Sequence, residues 1–101
     1  MIAEVEHAFR DVDLLLTASA MDPPCRIDDE EAVKRTYPRQ ARTPFNVTGH
    51  PALAMMAGLS TAKLPLSLQL VGRYWDELTV LKAAAAFERE TSFYQQHPSG
   101  L

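Results

Sequence analysis

The sequence has little cysteine and no large excess of charge of either sign. Its 101 residues include one cysteine, Cys25, which excludes an internal disulfide and fits a reducing compartment. Lys and Arg number 10 and Asp and Glu 13, a formal net charge of −3 with both signs scattered along the chain. This pattern argues against a nucleic-acid binder, which usually has a clustered basic face.

Long apolar runs are also missing. No run reaches the roughly 18 residues that indicate a membrane span. The first residues, MIAEVEHAFRD, are amphipathic and acidic, so they do not have the pattern of a secretion signal. We therefore expect a cytoplasmic protein with no membrane partner. The length fits one small domain and not two.

The first half of the chain has weak periodicity. Ile2, Val5 and Phe9 recur at helical spacing and predict a helix over residues 2–10 with one buried stripe. Leu14-Leu15-Leu16 is a short apolar run, which suits a strand covered on both faces. Residues 18–42 predict a long surface loop. Within it, residues 32–35 could complete one or two helical turns.

The second half is more regular. Thr43 and Pro44 resemble an N-cap and a first helical residue, and Gly49 and Pro51 end that short helix. The apolar run 52–57 predicts a strand that stops at Gly58. The alternation of leucine over residues 64–71 predicts another strand, with one strongly apolar face. A final helix follows over 76–93, capped by Asp76, and residues 94–101 predict a frayed tail.

This order predicts an α/β fold with about three strands and three helices. Such an apolar sheet needs cover on both faces, and this chain has little to cover it with. A connection of about 25 residues is also unusual inside a compact small domain. Both features suggest part of a larger fold.

No catalytic constellation emerges from the residues themselves. Ser60 and Lys63 match the S-x-x-K motif of serine acylases, but a strand pattern follows at once and no S-D-N or K-T-G string accompanies it. The simpler interpretation is a polar turn. Cys25 could in principle pair with a histidine, but its position in a proline-rich loop favours a partly buried apolar role. The three histidines are dispersed and do not have metal-ligand spacing.

Two strings carry a family resemblance. "TPFNVTGHPALAMMAGL" and "LPLSLQLVGRYWDELTVLKAAAAFERET" resemble the C-terminal end of amidase signature family hydrolases, and "HAFRDVDLLLTASA" also resembles the family. The resemblance covers about residues 5–91. The matching positions are Asn46, Gly49, Pro51, Ala52, Gly58, Leu64, Pro65, Gln69, Gly72, Arg73 and Glu77.

Some positions depart from the family pattern. Thr17-Ala18 replaces the common Pro-Thr, and Met56-Ala57 replaces a usual proline before the glycine turn. Lys63 and Ser67 stand where glycines are common. The turn over residues 58–63 is therefore expected to differ in shape.

The resemblance implies a mixed sheet with flanking helices and hydrolysis of carboxamide C–N bonds, with no metal or cofactor. In the family, this chemistry uses a Ser–cis-Ser–Lys triad, which these 101 residues do not contain. The segment from Arg39 to Thr43 would form part of the substrate-pocket wall. Structural roles are implied for Asn46, Gly49, Pro51, Gly58, Pro65, Gln69 and Gly72.

Three functions remain open at this point. The chain could be the C-terminal segment of an amidase, inactive without the missing N-terminal portion as its partner. It could instead be a small non-catalytic module that binds a partner or associates with itself. The third alternative is a small enzyme that uses Ser60 and Lys63.

Overall fold

A computed structural model describes residues 1–100 as an α/β arrangement, which confirms the predicted class. Four α-helices and three strands are present in this part of the chain. They are, in order, α1 (Ile2–Ala8), β1 (Leu14–Ala18), α2 (Glu30–Thr36), α3 (Thr43–Thr48), β2 (Ala52–Leu59), β3 (Pro65–Gly72) and α4 (Glu77–Thr91), followed by a short 3₁₀ helix at Phe93–Gln95.

The three strands form one antiparallel sheet in the order β1-β3-β2. Leu70 of β3 lies opposite Leu16 of β1 and Leu53 of β2, which fixes the register on both sides. The register shifts between Met56 and Gly58, where β2 contains a bulge. Gly58 has φ +136°, a conformation that other residues rarely adopt. The prediction that Gly58 ends the strand is therefore wrong, because β2 continues to Leu59.

Helix α4 covers one face of the sheet. Asp76 caps it by accepting a hydrogen bond from the Thr79 backbone N–H, as the sequence predicts. Val80 and Ala84 pack against Leu70 in the core, because the alternation along β3 directs its even-numbered side chains to this face. Further partly buried residues complete the cluster: Leu14, Leu53, Met55, Leu68 and Ala83.

Strand β1 differs from its prediction. It forms where expected, but the sequence pattern predicts cover on both faces, and Leu16 is 68% exposed. Leu16 shares a face with Leu70, its partner in the register. Since α4 packs on β2 and β3, the outer part of that face has no cover from residues 1–100.

Two of the helices also depart from expectation. No residue of α1 is buried, and the expected apolar stripe is reduced to Phe9, which follows the helix and is 5% exposed. In α3, Arg42 occupies the N-cap position and Thr43 is the first helical residue, so the predicted Thr43 cap is wrong by one position. The helix does end at Gly49, which has φ +78°.

Two short elements lie in the segments that the sequence predicts as a surface loop and a frayed tail. Helix α2 occupies Glu30–Thr36 inside the predicted loop, with Asp29 as its cap. The predicted tail begins within the 3₁₀ helix, and residues 96–99 are exposed. The last residue of that tail, Leu101, lies outside the described residues.

The buried core is small for a chain of this length. Among residues 1–100, the buried apolar side chains are Phe9, Ala32, Leu70, Val71, Val80 and Ala84. The radius of gyration is 15.2 Å, whereas a compact domain of about 100 residues has about 13 Å. Trp75, at φ +63°, is 91% exposed. The described fold is thus open and thin.

Candidate functional site

Ser60 and Lys63 form a turn between β2 and β3. The Ser60 carbonyl accepts from the Lys63 backbone N–H at 2.9 Å, and the Ser60 hydroxyl accepts from the Leu64 N–H at 3.1 Å. Lys63 has φ +63°, which explains why glycine suits this position. The geometry matches the polar-turn interpretation, and no contact between the hydroxyl and the lysine amine occurs among the described residues.

A concave cleft lies beside the end of β1 and the start of the central strand β3. It has a volume of about 670 Å³, within the range of small-molecule pockets. Its walls come from the segment after β1, from α2 and the residues that follow it, and from the start of β3. Several of its apolar side chains are well exposed, including Met21 at 60%, Ile27 at 95% and Tyr37 at 70%.

The segment predicted as a pocket wall borders this cleft. Gln40 and Arg42 line it, whereas Arg39 and Thr43 are not among its lining residues. Arg39 contacts a lining residue, Asp22, whose Oδ1 accepts a hydrogen bond from Arg39 Nη1 at 3.3 Å. The Arg39 carbonyl also accepts from the Met21 backbone N–H at 3.1 Å. This pairing joins the two sides of the loop.

Two acceptor oxygens at the cleft have no partner among residues 1–100. They are Asp22 Oδ2 and Gln40 Oε1, and both are closed off from solvent. A buried acceptor without a partner costs about 1–3 kcal/mol. The two unpaired oxygens therefore make the cleft wall a weakly stabilised part of the fold.

The family-motif residues mostly support the turns and strand ends. Gly49 takes the left-handed conformation that ends α3, and Pro65 begins β3. At Gly72, an added Cβ would lie 2.6 Å from Val80 Cγ2 and 3.6 Å from Pro51 Cγ, so only glycine lets α4 approach β3 this closely.

Gln69 and Asn46 have contrasting environments. Gln69 is 2% exposed, and its side-chain amide donates to Thr17 Oγ1 at 2.9 Å and to the Ala41 carbonyl at 3.4 Å. Gln69 therefore connects the central strand β3 both to β1 and to the residues just before α3. Asn46 is exposed and makes no side-chain hydrogen bond with any described residue.

The structure reveals a histidine cluster that sequence reasoning missed. The His50 side chain is fully buried, with Nε2 2.7 Å from Glu6 Oε1 and Nδ1 2.8 Å from Thr48 Oγ1. Its ring stacks between Phe9 and Tyr74, at centroid distances of 5.5 and 4.0 Å. The cluster attaches α1 to the start of β2. Since Glu6 and His50 are 44 positions apart, no local sequence pattern indicates this contact.

The other candidate chemical groups are scattered. Cys25 is exposed, which contradicts the predicted partly buried role, and its Sγ lies 3.6 Å from Thr36 Oγ1. No cluster of three or more potential metal ligands occurs within residues 1–100. Across the same residues, no helix has the length and apolar content needed to span a membrane.

One ion pair near the cleft, between Arg26 and Asp28, shifts the pKa values of both side chains. Arg26 donates to both carboxylate oxygens of Asp28, with Nε 2.9 Å from Oδ1. This hydrogen bond lowers the pKa of the Asp28 carboxyl and raises that of Arg26. Both side chains are largely exposed, at 81% and 62%, so the pair is a surface feature that adds little to stability.

The described residues thus form an α/β arrangement, in which one helix covers an antiparallel sheet and a cleft lies at the margin of that sheet. The sequence model of the amidase family, described as "Amidase", matches residues 1–81. The chain therefore belongs to the amidase family, which confirms the resemblance in the sequence.

The curated relatives are each described as one subunit of a glutamyl-tRNA(Gln) amidotransferase. The chain is 44% identical over 92 residues to the protein from Granulibacter bethesdensis, a match covering 86% of this chain and 18% of that protein. It is 34% identical over 98 residues to the one from Lysinibacillus sphaericus, covering 95% and 20%. The one from Geobacter metallireducens is 41% identical over 91 residues, covering 88% and 19%. The chain thus spans about a fifth of the length of these relatives.

Proposed function

We propose that the chain acts as the C-terminal segment of an amidase-type hydrolase. In this role it completes part of the sheet and one wall of the substrate pocket. Catalysis by a Ser–cis-Ser–Lys triad requires the rest of the amidase, and the chain alone is catalytically incomplete. The segment around Arg39 and Thr43 contributes to the wall through its neighbours at the cleft.

The exposed apolar surface of the sheet and of α4 is the observation that carries this proposal. Leu16 is 68% exposed on β1, and Leu78 and Leu81 are 61% and 56% exposed on α4. Exposed apolar surface of this kind is typical of an interaction site. Covering such a surface is favourable by about 25 cal/mol per Å² of apolar area. Relatives about five times longer provide a natural source of that cover.

The motif residues support the same proposal. Gly72, Gly49 and Gln69 have clear structural roles within the described residues. Asn46 does not, although it belongs to the same motif. We infer that the Asn46 amide bonds to backbone groups in the remaining portion of the amidase.

The reaction of the complete protein has a second candidate. The relatives are described as amidotransferases, which favours delivery of the amide nitrogen to an acceptor over its release to water. Either reaction breaks a carboxamide C–N bond, so the segment would have the same role in both. A cytoplasmic location stays a prediction.

Reconstitution tests the proposal. The chain is co-expressed with the upstream portion of a related amidase that ends where the similarity begins, and amide hydrolysis is assayed with each part alone and with both. We expect activity only with both parts, together with labelling of a serine in the upstream part by a serine-directed probe. Turnover or labelling by the chain alone would contradict the proposal.

The self-association alternative predicts different behaviour. Sedimentation of the chain alone would give a dimer whose population rises with concentration and which melts cooperatively. A stable dimer that excludes the upstream amidase portion would favour that alternative. The variant Ser60→Ala tests the third function, because it would abolish any hydrolysis that depends on the S-x-x-K turn.

A further inference from the structure

The cleft beside β1 has an uncompensated positive charge. Arg42 lines it, is exposed, and forms no ion pair or side-chain hydrogen bond within residues 1–100. The other charged lining residue, Asp22, is paired with Arg39 at 3.3 Å. One cation is therefore left without a counter-ion.

The walls around this cation are mostly apolar, with Thr36, Gln40 and Ser67 as polar members. Pro23, Pro24, Ile27 and Val33 line the cleft with the side chain of Tyr37. Ile27 is 95% exposed and Tyr37 70% exposed, so both are open to contact from a ligand. Apolar walls with one placed charged group are typical of a site for a small ligand that has an apolar body and a complementary head group.

We propose that this cleft binds a carboxylate-bearing ligand with an apolar body, and that Arg42 binds the carboxylate. A guanidinium offers paired N–H donors that match the two oxygens of a carboxylate. An ammonium head group is disfavoured, because it would add a second cation to a cleft with an unpaired one. The assignment of this carboxylate to the substrate rests on the proposed amidase function, whereas the binding site itself does not.

Arg42 suits mutational analysis because its side chain does not support the fold. It occupies the N-cap position of α3 but makes no side-chain capping bond, and the backbone carbonyl supplies the contacts there. Arg42→Gln should therefore fold like the parent. Arg10→Gln is the matched control. Arg10 is also exposed, but it borders a separate groove with Arg73 and Tyr74.

Phenylacetate, phenylacetamide and phenethylamine serve as probes, since they share an apolar body and differ in the head group. Binding is followed by heteronuclear NMR of the chain, or of its complex with the upstream amidase portion if the chain alone gives no dispersed spectrum. We expect phenylacetate to bind most tightly and phenethylamine most weakly. Shifts should concentrate at Ile27, Val33, Tyr37 and Arg42.

Arg42→Gln should weaken phenylacetate binding about fivefold to tenfold, as for a charge-assisted contact at a partly exposed site. It should leave phenylacetamide binding nearly unchanged. Arg42→Lys should retain part of the preference for the acid, Arg10→Gln should retain all of it, and added salt should reduce it. Equal affinities for the three probes, no binding of any probe, or an unchanged phenylacetate affinity in Arg42→Gln would each overturn the proposal.

Failure of the carboxylate-site proposal can be distinguished from failure of the proposed amidase function. Binding of phenylacetate needs no turnover, so an inactive reconstituted amidase would leave the carboxylate site standing. Conversely, an active reconstituted enzyme whose Arg42→Gln variant hydrolyses acidic and neutral amides with unchanged KM would retain the amidase function and remove the carboxylate site.

Discussion

Replacement of Gly72 by alanine should destabilise the contact between β3 and α4. The new Cβ would lie 2.6 Å from Val80 Cγ2, a distance that real Cβ atoms essentially never show, and 3.2 Å from the Asp76 carbonyl oxygen. Gly72 has no positive φ, so the substitution introduces no backbone strain and its cost is steric. Overpacking of a well-packed core typically costs 1–3 kcal/mol. We expect a loss of about 2 kcal/mol in the free energy of unfolding.

A double-mutant cycle with Val80 tests whether the clash with the Val80 side chain causes this loss of stability. Val80 is 3% exposed, and Val80→Ala removes two buried methyl groups, which should cost about 2 kcal/mol. If the two losses were independent, the double variant would lose about 4 kcal/mol. Because alanine at position 80 lacks the atom that the new Cβ would meet, we expect a loss of about 2.5 kcal/mol in the double variant.

Urea unfolding of the chain, or of its reconstituted complex, measures these differences in the free energy of unfolding. They are obtained from the shift in the midpoint, provided that the dependence on urea concentration (the m value) stays the same. Leu78→Ala is the control, since Leu78 lies on α4 but is 61% exposed. Its effect should simply add to that of Gly72→Ala. Additive losses for the Gly72 and Val80 substitutions would refute the steric reasoning, because they would mean that the Val80 side chain does not limit the approach of β3 to α4.

Three further changes test other parts of the structure. His50→Ala should lower the free energy of unfolding by about 2–3 kcal/mol in urea melts, since it removes two hydrogen bonds and two ring contacts, whereas Glu6→Gln keeps an acceptor and should cost less than about 1 kcal/mol. Lys63→Gly should stabilise the chain by about 0.5–1 kcal/mol by relieving a left-handed conformation, and a lower urea midpoint would contradict this. An NMR titration should place the pKa of Asp28 below its ordinary value of 3.8, and Arg26→Gln should return it to that value. Because the folded-state pKa is lowered, the small stabilisation is present above the unfolded-state pKa and is lost as the pH falls through the folded one.

The predictions from sequence succeeded where local chemistry decides the structure. Asp76 begins α4 because its carboxylate accepts the free N–H of the first turn, and alternating leucines define β3 because side chains alternate across a strand. Gly49 ends α3 because glycine readily takes the left-handed conformation found there, with φ +78°. These signals need only a few neighbouring residues.

The predictions were wrong or incomplete where contacts between residues far apart in the sequence determine the structure. Leu16 has an apolar pattern that suits a fully covered strand, yet the cover does not come from the described residues. Gly58 resembles a stop signal, but the pairing of β2 with β3 continues beyond it through a bulge. The cluster at His50 depends on Glu6, which no periodicity connects to it. The pocket wall at residues 39–43 stays a prediction. Arg42 lines the cleft and Arg39 does not, because the path of the loop decides which side chain reaches the cleft and no local sequence pattern encodes that path.

The exposed indole of Trp75 gives the protein an internal optical reporter. It is the chain's single tryptophan, and 91% of its surface is in contact with water. Its fluorescence therefore comes from one known position next to the exposed leucines of α4. If a larger polypeptide covers that helix, the emission should shift to shorter wavelength, so assembly could be followed in real time without any attached dye.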